Sequence, residues 1–417
     1  MKAAPVKGTS DYLPKETALR DYLQRTILDV YKENGFEHII TPAIEDAENL
    51  SKSEGGDNLN LIFNILKRGE KLEKVIEDGV TLENQSELSD LGLRYDLTLP
   101  LSRYFANNRN ELVLPMKCIQ IDRVYRAEKP QKGRLREFLQ CDIDILGDES
   151  GDAEVELILT TAKALFAIGF KNFTVRINDR RLLHAVLNSI GFAPEDMETV
   201  CISFDKMDKI GIEGVCEELE RKGFSEEVIA KFEDFLLQEN ITLDSVADML
   251  QDKSPAESLA RIMDDVKELG EGKIPVEFDI SLVRGQGYYT GTVFEIESGD
   301  FGSSVAGGGR YDKLIGKFLG KDVPAVGFSI GFERIFSILS EQGADIPDEK
   351  KRIAVLYGDD DFKSAVRFAE KLRSEGNAAS VYRRPKKTGK FIDRLEESGF
   401  AGFIIIDEKT EVQYFDQ

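Results

Sequence analysis

The stretch YRAEKPQKGRLREF, Tyr125 to Phe138, gathers Arg126, Lys129, Lys132, Arg134 and Arg136 in a chain whose net charge is −22. Arginine's planar fork matches phosphate oxygens bidentately and keeps its charge in any environment. Two readings are open: a solvated hairpin tip, or a grip on a strong polyanion such as a triphosphate. The next residues, EFLQCDIDIL, add a second chemistry. As a strand, they put Leu139, Cys141, Ile143 and Ile145 on one face and Gln140, Asp142 and Asp144 on the other. That polar face is either solvated or the floor of a pocket whose amide and carboxylate acceptors would fix a small zwitterion.

Two further segments carry chemical residues. SVAGGGRYDKL (304–314) has a glycine run but no GxxxxGK[ST] or GxGxxG nearby. A phosphate loop is therefore disfavoured, and Gly307–Gly309 read as a tight strand junction where backbone approaches a ligand. LVRGQGYYTG places Arg284 at a strand end and Tyr288 and Tyr289 just past a glycine-containing bend.

Composition removes several alternatives. His38 and His184 are the only histidines and neither sits in a polar cluster with Ser or Cys, which argues against a His-assisted nucleophile. Cys118, Cys141, Cys201 and Cys216 show no metal-ligand spacing, so a disulfide framework or structural zinc is not expected and a reducing cytoplasm fits. No apolar run is long enough to span a bilayer, and the N-terminus lacks a signal-peptide core, so no membrane partner is expected. A pI near 4.7 opposes general nucleic-acid coating but permits a local basic groove.

These residues need elements to hold them. Residues 15–34 have helical apolar spacing, end at Gly35 and lead into FEHIITPAIE, a β-like run ending at Pro42. KCIQIDRVYR and EFLQCDIDILG both alternate around the basic segment and predict an antiparallel hairpin with a long loop. VEFDISLVRGQGYYTGTVFEIES predicts two more strands around a glycine turn. PAVGFSIGFERIFSILS switches from strand to helix, with Phe332, Ile335, Phe336 and Leu339 on one stripe. Runs of strands favour an antiparallel sheet in an α+β domain. Residues 185–270 read as a charged helical insertion, 341–352 as a linker, and 353–417 as a small domain alternating β-α-β-α-β.

Taken together, KGTSDYLPKE, GFEHIITPAIE, YRAEKPQKGRLREFLQCDIDILG, LVRGQGYYTGTVFE and GFSIGFERI resemble the motifs of the histidyl-tRNA synthetases, class II aminoacyl-tRNA synthetases, in the right order along nearly the whole chain. DKMDKIG (205–211) also recurs in the family's insertion. The resemblance implies a catalytic domain over 1–340 built on a class II antiparallel sheet flanked by helices, followed by an anticodon-binding-like α/β domain. It implies ATP and Mg²⁺, L-histidine and tRNA-His as partners, and a homodimer joined through the segment carrying Pro42.

The resemblance also assigns roles. Arg126 would bind the ATP α-phosphate, Arg334 the γ-phosphate, Glu128 the adenine amino group, and Phe138 would stack on the ring. Arg136 would steady the phosphates, and Gln131, Lys132 and Arg134 would meet the tRNA end. Arg284 would stabilise the α-phosphate under attack. Asp96, Thr98 and Gln140 would hold the α-ammonium, Asp144 and Tyr289 the imidazole, with Tyr288 and Tyr311 lining the pocket. Arg383, Lys386 and Lys387 are candidates for anticodon contact. Two departures stand out: Gln286 and Gly287 replace Leu and Asp of the family's RGLDYY, and the resemblance leads one to expect a further strand and helix after TEVQYFDQ. The alternative is a non-enzymatic histidine-binding paralogue, the regulatory subunit of ATP phosphoribosyltransferase. It typically lacks the last domain and the ATP arginines. A stand-alone nucleic-acid-binding protein fits poorly with the charge and the polar strand face.

Overall fold

The computed structural model describes residues 3–53, 61–81, 85–130, 134–238, 240–283, 287–300, 304–347, 349–406 and 411–415. The chain divides into two units, Met1–Asp11 with Leu23–Leu339, and Tyr12–Tyr22 with Ser340–Gln417. The expected division at 341–352 left residues 12–22 in the first unit; they group with the second.

The first unit contains β1 (Glu37–His38), β2 (Ile44–Asp46), β3 (Phe63–Leu66), β4 (Ser89–Leu93), β5 (Met116–Tyr125), β6 (Glu137–Leu146), β7 (Phe173–Asp179), β8 (Val276–Phe278), β9 (Thr292–Ser298), β10 (Ser304–Arg310) and β11 (Ala325–Gly331). Eight of them form one sheet in the order β1-β5-β6-β11-β10-β9-β7-β8. Its interior pairings are antiparallel, while β1 on β5 and β8 on β7 are parallel. A second sheet, β2-β4-β3, is antiparallel. The predicted hairpin is therefore β5–β6, paired from Met116–Leu146 to Tyr125–Glu137.

Three local expectations change. FEHIITPAIE is not one β run: β1 and β2 lie in different sheets on either side of Pro42, whose ring restrains the backbone between them. The strands flanking the Arg284 segment are not neighbours, because β7 lies between β8 and β9. The glycines of SVAGGGR form no junction but the middle of β10. A Cβ on Gly308 would sit 1.9 Å from the Gly327 carbonyl oxygen of β11, a contact no side chain could relieve.

Helices cover the sheet by burying one stripe each. Helix Asp152–Ala167 buries Val155, Leu157, Ile158, Ala162 and Leu165, and helix Phe332–Glu341 buries Phe332, Ile335, Phe336, Ile338 and Leu339. Arg310 at the end of β10 donates Nε and Nη2 to Glu154 at 2.7 and 2.6 Å, tying that strand to helix Asp152–Ala167. Between β7 and β8, helices from Arg180–Ile190 to Ser254–Leu269 form the insertion. Asp179 starts it as an N-cap, accepting from the Arg181 amide.

The second unit orders β12 (Arg352–Tyr357), β13 (Ala378–Arg383), β14 (Gly402–Ile405) and β15 (Gln413–Tyr414) as β13-β12-β14-β15. The first three are parallel, and β15 closes the edge antiparallel to β14. Helices Phe362–Ser374 and Thr388–Glu397 provide the crossovers that parallel pairing requires. No helix among the described residues is long and apolar enough to cross a membrane.

Candidate active site

One face of the eight-stranded sheet carries a cavity of about 560 Å³. Phe138, Gln140, Asp142 and Asp144, alternate residues of β6, line it, so the polar strand face is a pocket floor rather than a solvated surface. Asp142 and Asp144 are only 5% and 3% exposed. Neighbouring strands add the bare backbone of Gly307, Gly308, Gly309 and Gly327. These glycines keep the floor low: a Cβ on Gly327 would lie 1.9 Å from Asp144 Oδ1, and one on Gly309 would meet the Tyr289 ring at 2.9 Å.

Buried carboxylates need partners. Tyr311 donates its hydroxyl to Asp144 Oδ1 at 2.6 Å, inside an aromatic wall in which the Tyr288 ring lies 4.8 Å from that of Tyr289 and 6.0 Å from that of Tyr311. Gln140 Nε2 donates to Ser329 Oγ at 2.9 Å. Asp96 Oδ1 accepts from the Leu99 amide at 3.2 Å. Burial pushes the Asp96 carboxyl up to about 6 against the opposing pull of that amide and of Arg126. Burial, with Asp96 nearby, lifts Asp144 to about 7 despite the Tyr311 hydrogen bond. Asp142 is raised well above the usual carboxylate range, first by burial and then by Asp144.

Cations border this acidic floor. Arg126 donates Nε to the Tyr95 carbonyl at 3.1 Å and its guanidinium lies 5.1 Å from the Phe138 ring centre. Arg334 enters from helix Phe332–Glu341, its Nη1 donating to the Ser304 carbonyl. Glu333 beside it accepts from the Leu139 amide at 3.2 Å. Arg134 is exposed, 3.5 Å from Glu128.

Arg94 ties together the segments that carry Asp96 and Arg126. It is 1% exposed and pairs with Asp122 at 2.7 Å. It also donates to the carbonyls of Thr41 and Arg123, both at 2.8 Å. Its own amide donates to Ala43 O, and its carbonyl accepts from the Tyr125 amide. Gln120 continues the network, accepting from Thr41 Oγ1 and donating to the Leu97 carbonyl. The segment bearing Asp96 and the residue before Arg126 are thus fixed to a common frame.

Of the residues singled out in the sequence, Arg126, Glu128, Arg134, Phe138, Arg334, Asp96, Thr98, Gln140, Asp144, Tyr288, Tyr289 and Tyr311 all line the cavity. Arg136 does not. Its Nε donates to the Glu128 carbonyl at 3.0 Å, its amide donates to Gly8 O, and its stem fills the space where a Gly8 Cβ would be. It braces the loop from below. Arg284, Gln131 and Lys132 lie outside the described residues. Arg383, Lys386 and Lys387 are exposed in the second unit, with Arg383 paired to Asp359.

Asp142, placed on the polar strand face by the sequence but given no role, lines the cavity as well, and so do Tyr95, Ser329, Glu333 and Asp205, which were not singled out. Asp205 opens DKMDKIG, the one hint that the helical insertion reaches the site. The cysteines are free thiols, and neither histidine lines the cavity. No group of three His, Cys, Asp or Glu side chains suited to a metal occurs among the described residues.

A largely antiparallel sheet with a cavity whose acidic floor lies between flanking arginines is the architecture of a class II aminoacyl-tRNA synthetase. The family model for histidyl-tRNA synthetase matches residues 8–335. The histidine–tRNA ligase of Leifsonia xyli subsp. xyli is 42% identical over 431 aligned positions, covering 97% of this chain and 96% of that protein. That of Christiangramia forsetii is 36% identical over 97% of this chain and 92% of its own length. The histidyl-tRNA synthetase structure from Nostoc sp. PCC 7120 superimposes with a TM-score of 0.77 at 27% identity, covering 97% of this chain and 92% of that one. A Bacillus halodurans C structure described as an ATP phosphoribosyltransferase regulatory subunit/histidyl-tRNA synthetase reaches 0.78 at 20% identity, covering 97% of this chain and 98% of that one, a likeness of fold alone. The chain belongs to the histidyl-tRNA synthetase family. Its reaction is histidine–tRNA ligation: ATP and L-histidine give histidyl-adenylate, whose acyl group passes to the 3′ end of tRNA-His.

Proposed function

We propose that the cavity is where histidine is activated, with roles set by the order of groups along its floor and rim. The observation that carries this is a buried row of acceptors, Gln140, Asp142 and Asp144, sharing one cavity with Arg126 and Arg334. Acceptors call for a ligand rich in N–H donors, and arginines call for phosphate.

Arg126 takes the α-phosphate, Arg334 the γ-phosphate, Phe138 stacks on adenine and Glu128 accepts from its amino group. Asp96, Thr98 and Gln140 hold the α-ammonium. Asp144 accepts from one imidazole nitrogen, Tyr289 meets the other, and Tyr288 and Tyr311 close the aromatic wall. A carboxylate oxygen of histidine attacks the α-phosphorus, the bond to the bridging oxygen breaks, and pyrophosphate leaves. Arg126 and Arg284 offset the charge that builds on the α-phosphate. Such substitution relies on positioning and charge neutralisation, so it needs no histidine base. A ribose hydroxyl at the tRNA end then attacks the acyl carbon and AMP leaves.

Glu333, the carboxylate beside Arg334, suits a Mg²⁺ held mainly by triphosphate oxygens and water rather than a resident metal. The ion would offset phosphate charge. Gln131, Lys132 and Arg134 meet the acceptor end, and Arg383, Lys386 and Lys387 the anticodon side. The protein acts in the cytoplasm as a homodimer.

The test is ATP–pyrophosphate exchange with and without L-histidine, followed by charging of tRNA-His. Exchange that depends on histidine, then charging, is expected. Histidine binding without exchange would return the chain to the regulatory-subunit reading.

A further inference from the structure

We propose that Asp142 is a substrate-contacting carboxylate, forming with Gln140 Oε1 a pair of acceptors that fixes the α-ammonium of histidine. This rests on reading the cavity as the histidine-activation site. Asp142 is nine-tenths buried and lines the cavity, yet its Oδ1 has no hydrogen-bond partner among the described residues, and neither has Gln140 Oε1.

Ser329 stands directly across from Asp142 in the β6–β11 ladder. Gln140 Nε2 donates to Ser329 Oγ at 2.9 Å, so its amide nitrogen is engaged on the strand and its oxygen is not. Two acceptor oxygens on one strand face, Gln140 Oε1 and Asp142 Oδ1, are left without a partner among the described residues.

Position along the strand selects the ligand group. Phe138, Gln140, Asp142 and Asp144 share a face at intervals of about 7 Å. The ring at one end suits a base. Asp144 at the other is engaged by Tyr311 within the aromatic wall, where a flat imidazole fits. The middle therefore falls to the group between base and side chain, the amino-acid backbone. Its ammonium has three donors: Gln140 Oε1 and Asp142 Oδ1 take one each, and Asp96 and Thr98 share the third. Burial beside Asp144 makes the Asp142 carboxylate costly to ionise alone, and a bound cation offsets that cost.

The experiment uses full-length enzyme and Asp142→Asn, which keeps shape and removes charge. In ATP–pyrophosphate exchange the KM for histidine is expected to rise about ten- to a hundredfold, the size of a lost charge-assisted hydrogen bond, with the KM for ATP within about twofold. Two inhibitors separate binding from packing. Inhibition by histamine, which keeps the amine, should weaken in parallel; inhibition by 3-(imidazol-4-yl)propionate, which lacks it, should stay within about twofold. Asp142→Glu restores the charge and should fall between wild type and Asn, whereas a packing role predicts that the larger Glu is worse. Should Asn fail to fold, Asp142→Ser is judged by the same inhibitors. An unchanged histidine KM, or equal loss of both inhibitors, overturns the proposal. Absence of histidine-dependent exchange in the wild type would instead overturn the reading of the cavity.

Discussion

β6 in the first unit and β12 in the second are both interior strands with both faces buried, yet only one is complete on its own. On β12, Ile353 and Val355 pack with Ala365, Ala369 and Leu372, while Ala354 and Leu356 pack with Leu395 and Phe400. The chain supplies every contact. On β6 the odd residues Leu139, Cys141, Ile143 and Ile145 are equally apolar and buried, but three of the even ones, Gln140, Asp142 and Asp144, are acceptors facing a cavity. Equal burial with unequal chemistry separates a strand that holds the protein together from one that awaits a ligand.

The sharpest way to break this contrast is Asp144→Asn. If the floor exists for the substrate, kcat/KM for histidine should fall about a thousandfold in pyrophosphate exchange while the KM for ATP holds, because a site built to pair with a polar group discriminates strongly. Near-normal activity would reduce the floor to packing. The mirror experiment is Ile404→Ala on β14, 1% exposed. It should cost about 2–5 kcal/mol in urea unfolding of the second unit, through cavity formation, and leave histidine activation intact.

Acidity sharpens the comparison further. Burial raises Asp96 to about 6 and Asp144 to about 7, above their unfolded values, so their contribution to the stability of the free protein is present at low pH and lost as pH rises through that window. A cationic ligand favours the ionised carboxylates and reverses the sign. Histidine should therefore bind about tenfold more tightly at pH 8 than near pH 6, seen by thermal shift, and Asp144→Asn should flatten the upper part of that rise relative to wild type. The smallest effect is expected in the second unit, where Lys386→Ala with Lys387→Ala should raise the KM for tRNA a few-fold and weaken its salt dependence, without touching exchange.

Much of this was legible in the residues. Alternation gave the β5–β6 hairpin, and parity put Gln140, Asp142 and Asp144 on one face. Parity could not tell whether that face was wet, because that depends on strands more than a hundred residues away. Long-range packing explains the other differences too. Gly308 is required by the close approach of β11 and Gly309 by Thr292 and the Tyr289 ring, not by local turn chemistry. β8 and β9 do not pair with each other because β7, far upstream, inserts between them. Arg136 looked like its neighbours, and only the fold brings Gly8 against its stem and turns it from ligand to brace. Residues with local jobs were readable; those whose partners are distant were not.

Arg94 has a consequence for how the enzyme can move. Its guanidinium joins the Thr41–Pro42 segment to the end of β5, while its backbone, two residues before Asp96, pairs with Ala43 and with Tyr125, the residue before Arg126. Slack introduced at any of these junctions is passed to the rest, since releasing one strands a charge in the interior. Asp96 and Arg126, which both line the cavity, are therefore tied to one frame, and a shift of either is felt by the other.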